Sequence, residues 1–336
     1  MRAPRPEREE DGVSGASLAG RAVVVTGASG GIGRACAAEL VARGAVVTLV
    51  ARGAPALEAL AAELAMDPGA PAADPGQSAA EPGERAADSR ERAADSRERA
   101  ADVPPAAERV LVHAADVAAP GAMDAAVAAT RARFGRLDGL VHAAAIIGPI
   151  GPALEVDPAA WLEAVRVDLH GTFLAARAAA AGMDAAGGSI VLFSGGGGTS
   201  PFPNYTAYAA AKAGVVRLAE TLAMEWAPRG IRVNSLAPGF VATAMHQATL
   251  QAGERAGAAY LERTRAELAA GGVPPVLAAQ AAAFLLSDEA AGITGRLLAA
   301  PWDAWADWPS HADRIAGSDL FTLRRIVPRD RGQDWQ

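Results

Sequence analysis

The chain contains few of the residues that build disulfides, metal sites or reactive thiol centres. Cys36 is the single cysteine among 336 residues, so an intrachain disulfide is excluded. It lies in an Ala-rich apolar stretch, where a small buried hydrophobe is a more ordinary role than a reactive thiol. The five histidines are scattered without the spacing of metal ligands, and no metal site is predicted.

Basic charge and long apolar runs are also scarce. A formal net charge of -7 at pH 7 argues against a general nucleic-acid binder, which needs a basic face to neutralise phosphates. No apolar run is long enough to predict a membrane span. Residues 1–15 are charged and lack the apolar core of a secretory signal. We therefore expect a cytoplasmic protein without nucleic-acid or membrane partners.

Short β-branched runs alternate with Ala-rich helical stretches along most of the chain. Aromatic residues are only 5% of the sequence, so Ala, Val and Leu must provide the core. The predicted strands are Arg21–Thr26, Ala45–Val50, Arg109–Ala114, Leu137–Ala143, Ser189–Ser194, Ile231–Leu236 and Arg296–Ala300. The main predicted helices are Ile32–Arg43, Met123–Phe134, Pro158–Ala181, Ala207–Trp226 and Pro274–Leu286. The alternation predicts an α/β fold, a Rossmann-type doubly wound parallel sheet in a single domain over residues 19–300.

Three segments fall outside this alternation. Residues 1–18 have the composition of a disordered leader, and residues 301–336 form a tail whose tryptophans are expected to anchor it to the core. A lid over the active site is the alternative for the tail. Residues 67–107 are a low-complexity insertion, interpreted as a solvated tether, with a partner-binding arm as the alternative. Because the insertion follows the helix after the second strand, we expect it at the amino edge of the sheet, away from the ligand-binding edge.

A glycine-rich turn, TGASGGIG at 26–33, lies between the first strand and the first helix. Glycine lets the backbone turn sharply and approach a pyrophosphate, whose charge is stabilised by the N–H groups and the dipole of the helix start. The turn predicts a dinucleotide site, and a purely structural turn is the alternative. The expected cofactor contacts in it are Gly27, Ser29, Gly31, Ile32 and Gly33.

The end of the second strand bears on the choice of cofactor. It reads Val50-Ala51-Arg52, with no acid to bind the ribose 2′-hydroxyl of NAD. Arg52 can pair with the 2′-phosphate of NADP, although an ordinary solvated Arg would look the same. We predict NADP(H) as the favoured cofactor, with NAD(H) as the alternative.

Tyr208 and Lys212 are the most informative pair of residues. Four positions apart on a predicted helix, they share one face. A free Tyr has a pKa of about 10, which a nearby ammonium and an oxidised nicotinamide would lower. A bare Tyr-x-x-x-Lys also occurs on unrelated amphipathic helices, so the pair indicates chemistry only together with other motifs.

The spaced motifs together resemble those of the short-chain dehydrogenase/reductase family, in its single-domain reductase branch. They are TGASGGIG at 26–33, Asp116-Val117 after the third strand, the Tyr208/Lys212 pair, and NSLAPGFVAT at 234–243. The resemblance implies an NAD(P)-dependent oxidoreductase that transfers a hydride between NADP(H) and a small-molecule alcohol or ketone. It also implies a homodimer or homotetramer.

The resemblance gives each motif a role. Tyr208 would be the general acid/base, and Lys212 would hold the nicotinamide ribose and lower the pKa of the tyrosine. Asp116 and Val117 would frame the adenine. Further cofactor contacts would come from Ala143, Ala144, Pro238, Gly239, Val241 and Thr243. The segment from Met245 to Gly272 would be the substrate loop, in which His246 is the most notable polar residue.

Three positions depart from the family pattern. His142-Ala143-Ala144-Ala145 replaces Asn-Asn-Ala-Gly, and the helix Asn of the family corresponds to Asp168, expected either to anchor a relay water or to accept a bond from Lys212. The catalytic Ser position is Gly195. Ser194 can supply the missing hydroxyl only if the strand ends or bulges there, and a structural role is its alternative. These departures motivate a second hypothesis, a catalytically weak cofactor-binding regulator or scaffold of the same fold.

Overall fold

Seven parallel strands form one sheet in the order β3-β2-β1-β4-β5-β6-β7, and they confirm the predicted doubly wound topology. A computed structural model describes residues 17–66, 104–105 and 108–335. Because helices cover both faces of a parallel sheet, its central strands carry nearly continuous apolar runs. The strands are β1 (Ala22–Thr26), β2 (Val46–Ala51), β3 (Val110–Ala114), β4 (Gly139–His142), β5 (Gly188–Phe193), β6 (Ile231–Ala237) and β7 (Leu297–Ala299).

The helices lie in two layers, one on each face of the sheet. They are α1 (Gly31–Ala42), α2 (Ala54–Met66), α3 (Ala122–Phe134), α4 (Pro158–Val165), α5 (Gly171–Gly182), α6 (Thr206–Trp226), α7 (Ala244–Ala252), α8 (Ala258–Ala269), α9 (Pro275–Leu286) and α10 (Ala312–Ala316). One buried cluster joins α1, α2 and α9 to alternate strand residues such as Val23 and Val25. The other joins α3, α5 and α6 to Val24 and its neighbours. The alternation of faces along each strand therefore divides the core in two.

The predicted helix over residues 158–181 is interrupted in the structure. Asp157 caps the start of α4 by accepting hydrogen bonds from the N–H groups of Ala159 and Ala160. Between α4 and α5 the backbone widens into a π-helical turn at Arg166–His170. Such a turn inserts one extra residue, which periodicity alone does not reveal, and it is frequent at functional sites. It carries Asp168, whose side chain is fully buried.

The fold begins earlier than the predicted boundary at residue 19. Leu18 is fully buried, and its N–H donates to the carbonyl of Arg43 at 2.9 Å, so this residue belongs to the core rather than to the leader. Residues 1–16 of the leader, and residues 67–103 and 106–107 of the insertion, lie outside the described residues. The two ends that flank the insertion, Met66 and Val110, are a helix end and a strand start at the amino edge of the parallel sheet.

The C-terminal tail is anchored to the core, as its tryptophans predicted. Trp305 packs on Phe284 with ring centroids 5.5 Å apart, and Trp308 packs on Phe321 at 4.4 Å. Both indoles are buried. The guanidinium of Arg296 donates to three tail carbonyls, those of Ala316, Ser318 and Leu320. The tail therefore covers β7 at the edge of the sheet, where the N–H of Leu297 donates to the carbonyl of Phe321.

Among the residues that the structure describes, no helix is both long and apolar enough to cross a membrane. No group of three or more His, Cys, Asp or Glu side chains in the same residues is placed to hold a metal ion. Cys36 is buried, and its burial raises the pKa of its thiol, consistent with a packing role.

Candidate active site

The glycine turn brings the ends of β1, β4 and α1 together. A Cβ at Gly33 would lie 2.3 Å from the carbonyl oxygen of Gly27, so only glycine lets α1 pack this closely on the turn. A Cβ at Gly27 would lie 2.8 Å from the backbone nitrogen of Ala144. An added Cβ at Gly30 would meet no heavy atom within 4 Å, so the start of α1, a helix of twelve residues, faces open space, here called the cleft. Such a cleft fits a pyrophosphate.

The loop after β6 reaches the same cleft. A Cβ at Gly31 would lie 3.2 Å from Cγ2 of Thr243, which places the loop from Pro238 to Thr243 opposite the glycine turn. Pro301 at the start of the tail packs against this loop, since a Cβ at Gly239 would lie 2.6 Å from it. The structure therefore brings together the glycine turn, Ala144 and Thr243, which the sequence assigned to one cofactor.

Asp116 and Arg52 lie at the same edge of the sheet, after β3 and β2. The Asp116 carboxylate accepts hydrogen bonds from the N–H of Ala118 at 3.0 Å and from Arg166 at 3.2 Å. The Ala118 bond contributes most to lowering the pKa of Asp116, with Arg166 next and Arg52 last. Arg52 itself is exposed. Val117, beside Asp116, is buried.

Tyr208 and Lys212 are almost completely buried on one face of α6, with 8% and 2% of their surface exposed. The Lys212 ammonium lies 5.5 Å from the centre of the Tyr208 ring, and it donates to the carbonyl of Phe193 at 3.0 Å. Burial, and then the Asp168 carboxylate, raise the pKa of Tyr208. The phenol is therefore protonated at neutral pH in this state, as a proton donor to a carbonyl must be.

Asp168 lies beneath this pair. One of its oxygens accepts from the N–H of Ile146 at 2.8 Å, and the other is buried without a hydrogen-bond partner among the described residues. Burial raises the pKa of Asp168, and the nearby Lys212 opposes that rise. Conversely, burial lowers the pKa of Lys212 and Asp168 raises it. The two residues interact electrostatically, whereas the hydrogen bond of the Lys212 ammonium goes to Phe193.

Gly195, rather than Ser194, faces the tyrosine hydroxyl. A Cβ at Gly195 would lie 2.6 Å from Oη of Tyr208. The Ser194 hydroxyl donates to the carbonyl of Lys212 at 3.3 Å, and it lies under Gly198, whose added Cβ would be 2.4 Å away. β5 ends at Phe193, so the path of the backbone after the strand decides which way each of these two residues faces. This geometry favours the structural role for Ser194 over the catalytic one.

His142, the first departure from the family pattern, links β4 to β1. Its Nδ1 lies 2.9 Å from the hydroxyl oxygen of Thr26, which also accepts from the N–H of Ala144 at 3.3 Å. Burial, and the nearby Lys212, lower the pKa of His142 to about 3. The imidazole is therefore neutral, and its Nε2 is buried without a hydrogen-bond partner in the described part of the chain.

An aromatic group beside Tyr208 was missed by the sequence analysis. It consists of Phe202, Tyr205 and Tyr260, here called the aromatic triad. Phe202 stacks on Tyr205 with centroids 4.2 Å apart and meets Tyr260 edge-on at 4.7 Å. The ring of Tyr208 is 6.4 Å from that of Phe202. The nearness of Phe202 and Tyr205 to Tyr208 in sequence was the available signal, but only the fold brings Tyr260 from α8.

Comparison with known proteins decides the family. Residues 77–300 match a family model described as Enoyl-(Acyl carrier protein) reductase, and residues 21–74 match one described as short chain dehydrogenase. The chain belongs to the short-chain dehydrogenase/reductase family. This short-chain dehydrogenase/reductase is therefore an oxidoreductase that acts on hydroxyl or carbonyl groups and uses NAD(P)(H).

The family relationship extends over most of the chain. D-threitol dehydrogenase of Mycolicibacterium smegmatis is 34% identical over 279 residues, which span 83% of this chain and 90% of that protein. The crystal structure of levodione reductase matches with a TM-score of 0.66 and 28% identity over 88% of this chain and 99% of that one. A variant of actinorhodin polyketide ketoreductase with NADPH matches with a TM-score of 0.65 and 26% identity over 83% and 95%.

Proposed function

We propose that this short-chain dehydrogenase/reductase transfers a hydride between NADP(H) and a secondary alcohol or ketone, with Tyr208 as the general acid/base. The observation that carries the proposal is the burial of Tyr208 and Lys212 on one face of α6, together at the carboxyl end of the sheet. At the same edge, Gly30 at the start of α1 faces open space, since an added Cβ there would meet no heavy atom within 4 Å, and the pyrophosphate of a dinucleotide would bind in that space.

A bound nicotinamide cofactor would supply the hydride in reduction and accept it in oxidation. The protein's own part is proton transfer. In reduction, the protonated Tyr208 donates its hydroxyl hydrogen to the substrate oxygen as the hydride reaches the carbon. The Lys212 ammonium then stabilises the phenolate that remains, and Asp168 favours the charged form of Lys212. Asp168 thus acts as a positioning residue behind the pair.

Arg52 supports NADP(H) over NAD(H) in this proposal. It follows β2 directly and is exposed, so a 2′-phosphate can reach its guanidinium without displacing a packed side chain. A charge-assisted hydrogen bond contributes about 1.5–3 kcal/mol, so Arg52→Gln should weaken NADPH binding roughly ten- to hundredfold and leave NADH binding nearly unchanged. Arg325→Gln on the exposed tail is the matched control. Equal losses for both cofactors would contradict this role.

A regulator or scaffold of the same fold is the second candidate, favoured by one observation. Gly195 has no side chain that could donate a hydrogen bond beside the Tyr208 hydroxyl. The substrate oxygen would therefore receive a side-chain hydrogen bond from Tyr208 and none from Gly195. Tyr208→Phe separates the two candidates. The enzyme proposal expects unchanged NADPH binding and a loss of turnover of at least about hundredfold. Tight NADPH binding with no turnover in either protein would favour the scaffold.

A further inference from the structure

The Tyr208 ring packs in an apolar cluster formed largely by loop and helix residues outside α6. Tyr208 belongs to a buried cluster with the aromatic triad, and the rest of the cluster comes from the β4–α4 loop and from α7, α8 and the turn between them. Those further members are Ile147, Ile150, Met245, Leu250, Ala252, Ala256 and Leu261. Because Tyr208 packs in this cluster, we expect a substrate that brings its carbonyl to the Tyr208 hydroxyl to contact side chains of the cluster.

The Tyr205 hydroxyl of this cluster is engaged within the protein. Tyr205 donates its hydroxyl hydrogen to Oγ1 of Thr249 at 3.1 Å, and both groups are buried. A substrate with several hydroxyls would lose its hydrogen bonds to water here and find few replacements. A binding site that offers no hydrogen-bond partner to a polar group of the substrate binds that substrate weakly. The reason is that the group loses its hydrogen bonds to water and gains none from the protein.

The cations near the cluster are also engaged. Each Arg in the segment 244–272 lies within 4 Å of an acidic partner: Arg255 with Glu155, Arg263 with Glu267, and Arg265 with Glu262. His246 packs on Phe240 with ring centroids 3.8 Å apart, and burial lowers its pKa, so it is neutral at physiological pH. An anionic substrate would therefore enter this cluster without a free counter-charge from that segment.

The glycines after β5 complete the shape of the cluster. A Cβ at Gly196 would lie 3.3 Å from the Phe202 ring, so a residue without a side chain lets this ring pack closely on the backbone after β5. Phe202 thus provides an aromatic ring surface near Tyr208, with the two ring centroids 6.4 Å apart. A compact carbon ring fits such a surface better than a flexible polar chain.

We propose that the substrate is a neutral, largely apolar ring ketone, or the corresponding secondary alcohol, and not a polyol, a ketose or a carboxylate. The proposal rests on the function proposed above, because it describes what Tyr208 protonates. It selects one substrate class among the many that this fold can serve.

Matched ketones test the proposal with the full-length protein and NADPH. The probes are 4-methylcyclohexanone, 4-oxocyclohexanecarboxylate with the same ring and one negative charge, and erythrulose as a polyhydroxylated ketone. The expected kcat/KM for 4-methylcyclohexanone exceeds those for the other two by at least about hundredfold. A carboxylate or ketose reduced as well as the neutral ring would overturn the inference and leave the proposed function intact. No turnover of any ketone by NADPH-bound protein would overturn both.

Phe202→Ala provides a second measurement. It should raise KM for 4-methylcyclohexanone about tenfold or more and leave KM for the small acyclic ketone butanone nearly unchanged, since butanone does not need the aromatic surface. Phe173→Ala, an exposed Phe on α5, is the matched control and should change neither value. A Phe202→Ala protein with unaltered discrimination between the two ketones would contradict the inference. If the Phe202→Ala protein fails to fold, the comparison of the three ketones with wild-type protein still tests the inference.

Discussion

The substitution Gly195→Ala tests how precisely the Tyr208 hydroxyl must be positioned for catalysis. The added Cβ would lie 2.6 Å from the Tyr208 hydroxyl oxygen, where about 3.4 Å is ordinary contact, so the hydroxyl must move by roughly 0.8 Å. The phenol is buried and packed against the aromatic triad, which leaves it little freedom to move elsewhere. A misplacement of about 1 Å at a reacting group costs on the order of hundredfold in rate. We therefore expect kcat to fall about ten- to hundredfold.

The assay is NADPH oxidation with a ketone substrate at saturation, accompanied by NADPH titration and thermal unfolding. NADPH affinity should be unchanged, because the cofactor cleft lies at the glycine turn. Gly53→Ala is the control, since an added Cβ there has no heavy atom within 4 Å and its φ is not positive. An unchanged kcat in Gly195→Ala would refute the claim that this position faces the reacting hydroxyl.

Three further predictions concern buried groups. Asp168→Asn removes a carboxylate that raises the pKa of Tyr208, so the limb of alcohol oxidation that requires the phenolate should move to lower pH; a kcat–pH profile that stays in place or moves upward would contradict this. His142 has an unfolded pKa near 6.5 and a folded pKa of about 3, so its contribution to stability is complete above pH 6.5 and is lost as the pH falls toward 3. The loss is about 1.4 kcal/mol per pH unit, and urea unfolding of His142→Gln should show a shallower decline over that window; an identical decline would exclude His142 as its source. Trp308→Ala should lower the free energy of unfolding by about 3–5 kcal/mol, because the indole is buried against Phe321, whereas exposed Trp302→Ala should change it little.

Local patterns predicted most of the fold. The strands, the glycine turn and the Tyr208/Lys212 pair depend on residues close in sequence, and the sheet places all of them as the motifs indicated. The tryptophans of the tail also predicted its contact with the core, and Trp305 and Trp308 are both buried.

The features that were missed depend on tertiary contacts. The π-helical turn at Arg166–His170 adds one residue to an otherwise regular helical pattern, so composition gave no sign of it. The direction of the Ser194 hydroxyl depends on where β5 ends and on how closely Gly198 approaches it. Tyr260 joins the aromatic triad only because the fold brings α8 next to the loop that precedes α6. The composition of residues 1–18 predicted that Leu18 belongs to a polar leader, although the fold buries it.

Isotope transfer tests the central claim most directly. NADPH with deuterium at the transferable C4 position would be incubated with the protein and 4-methylcyclohexanone, and the alcohol would be analysed by mass spectrometry. We predict one deuterium on the carbinol carbon with wild-type protein and at least about hundredfold slower incorporation with Tyr208→Phe. Alcohol without deuterium, or incorporation at an equal rate in the two proteins, would contradict it.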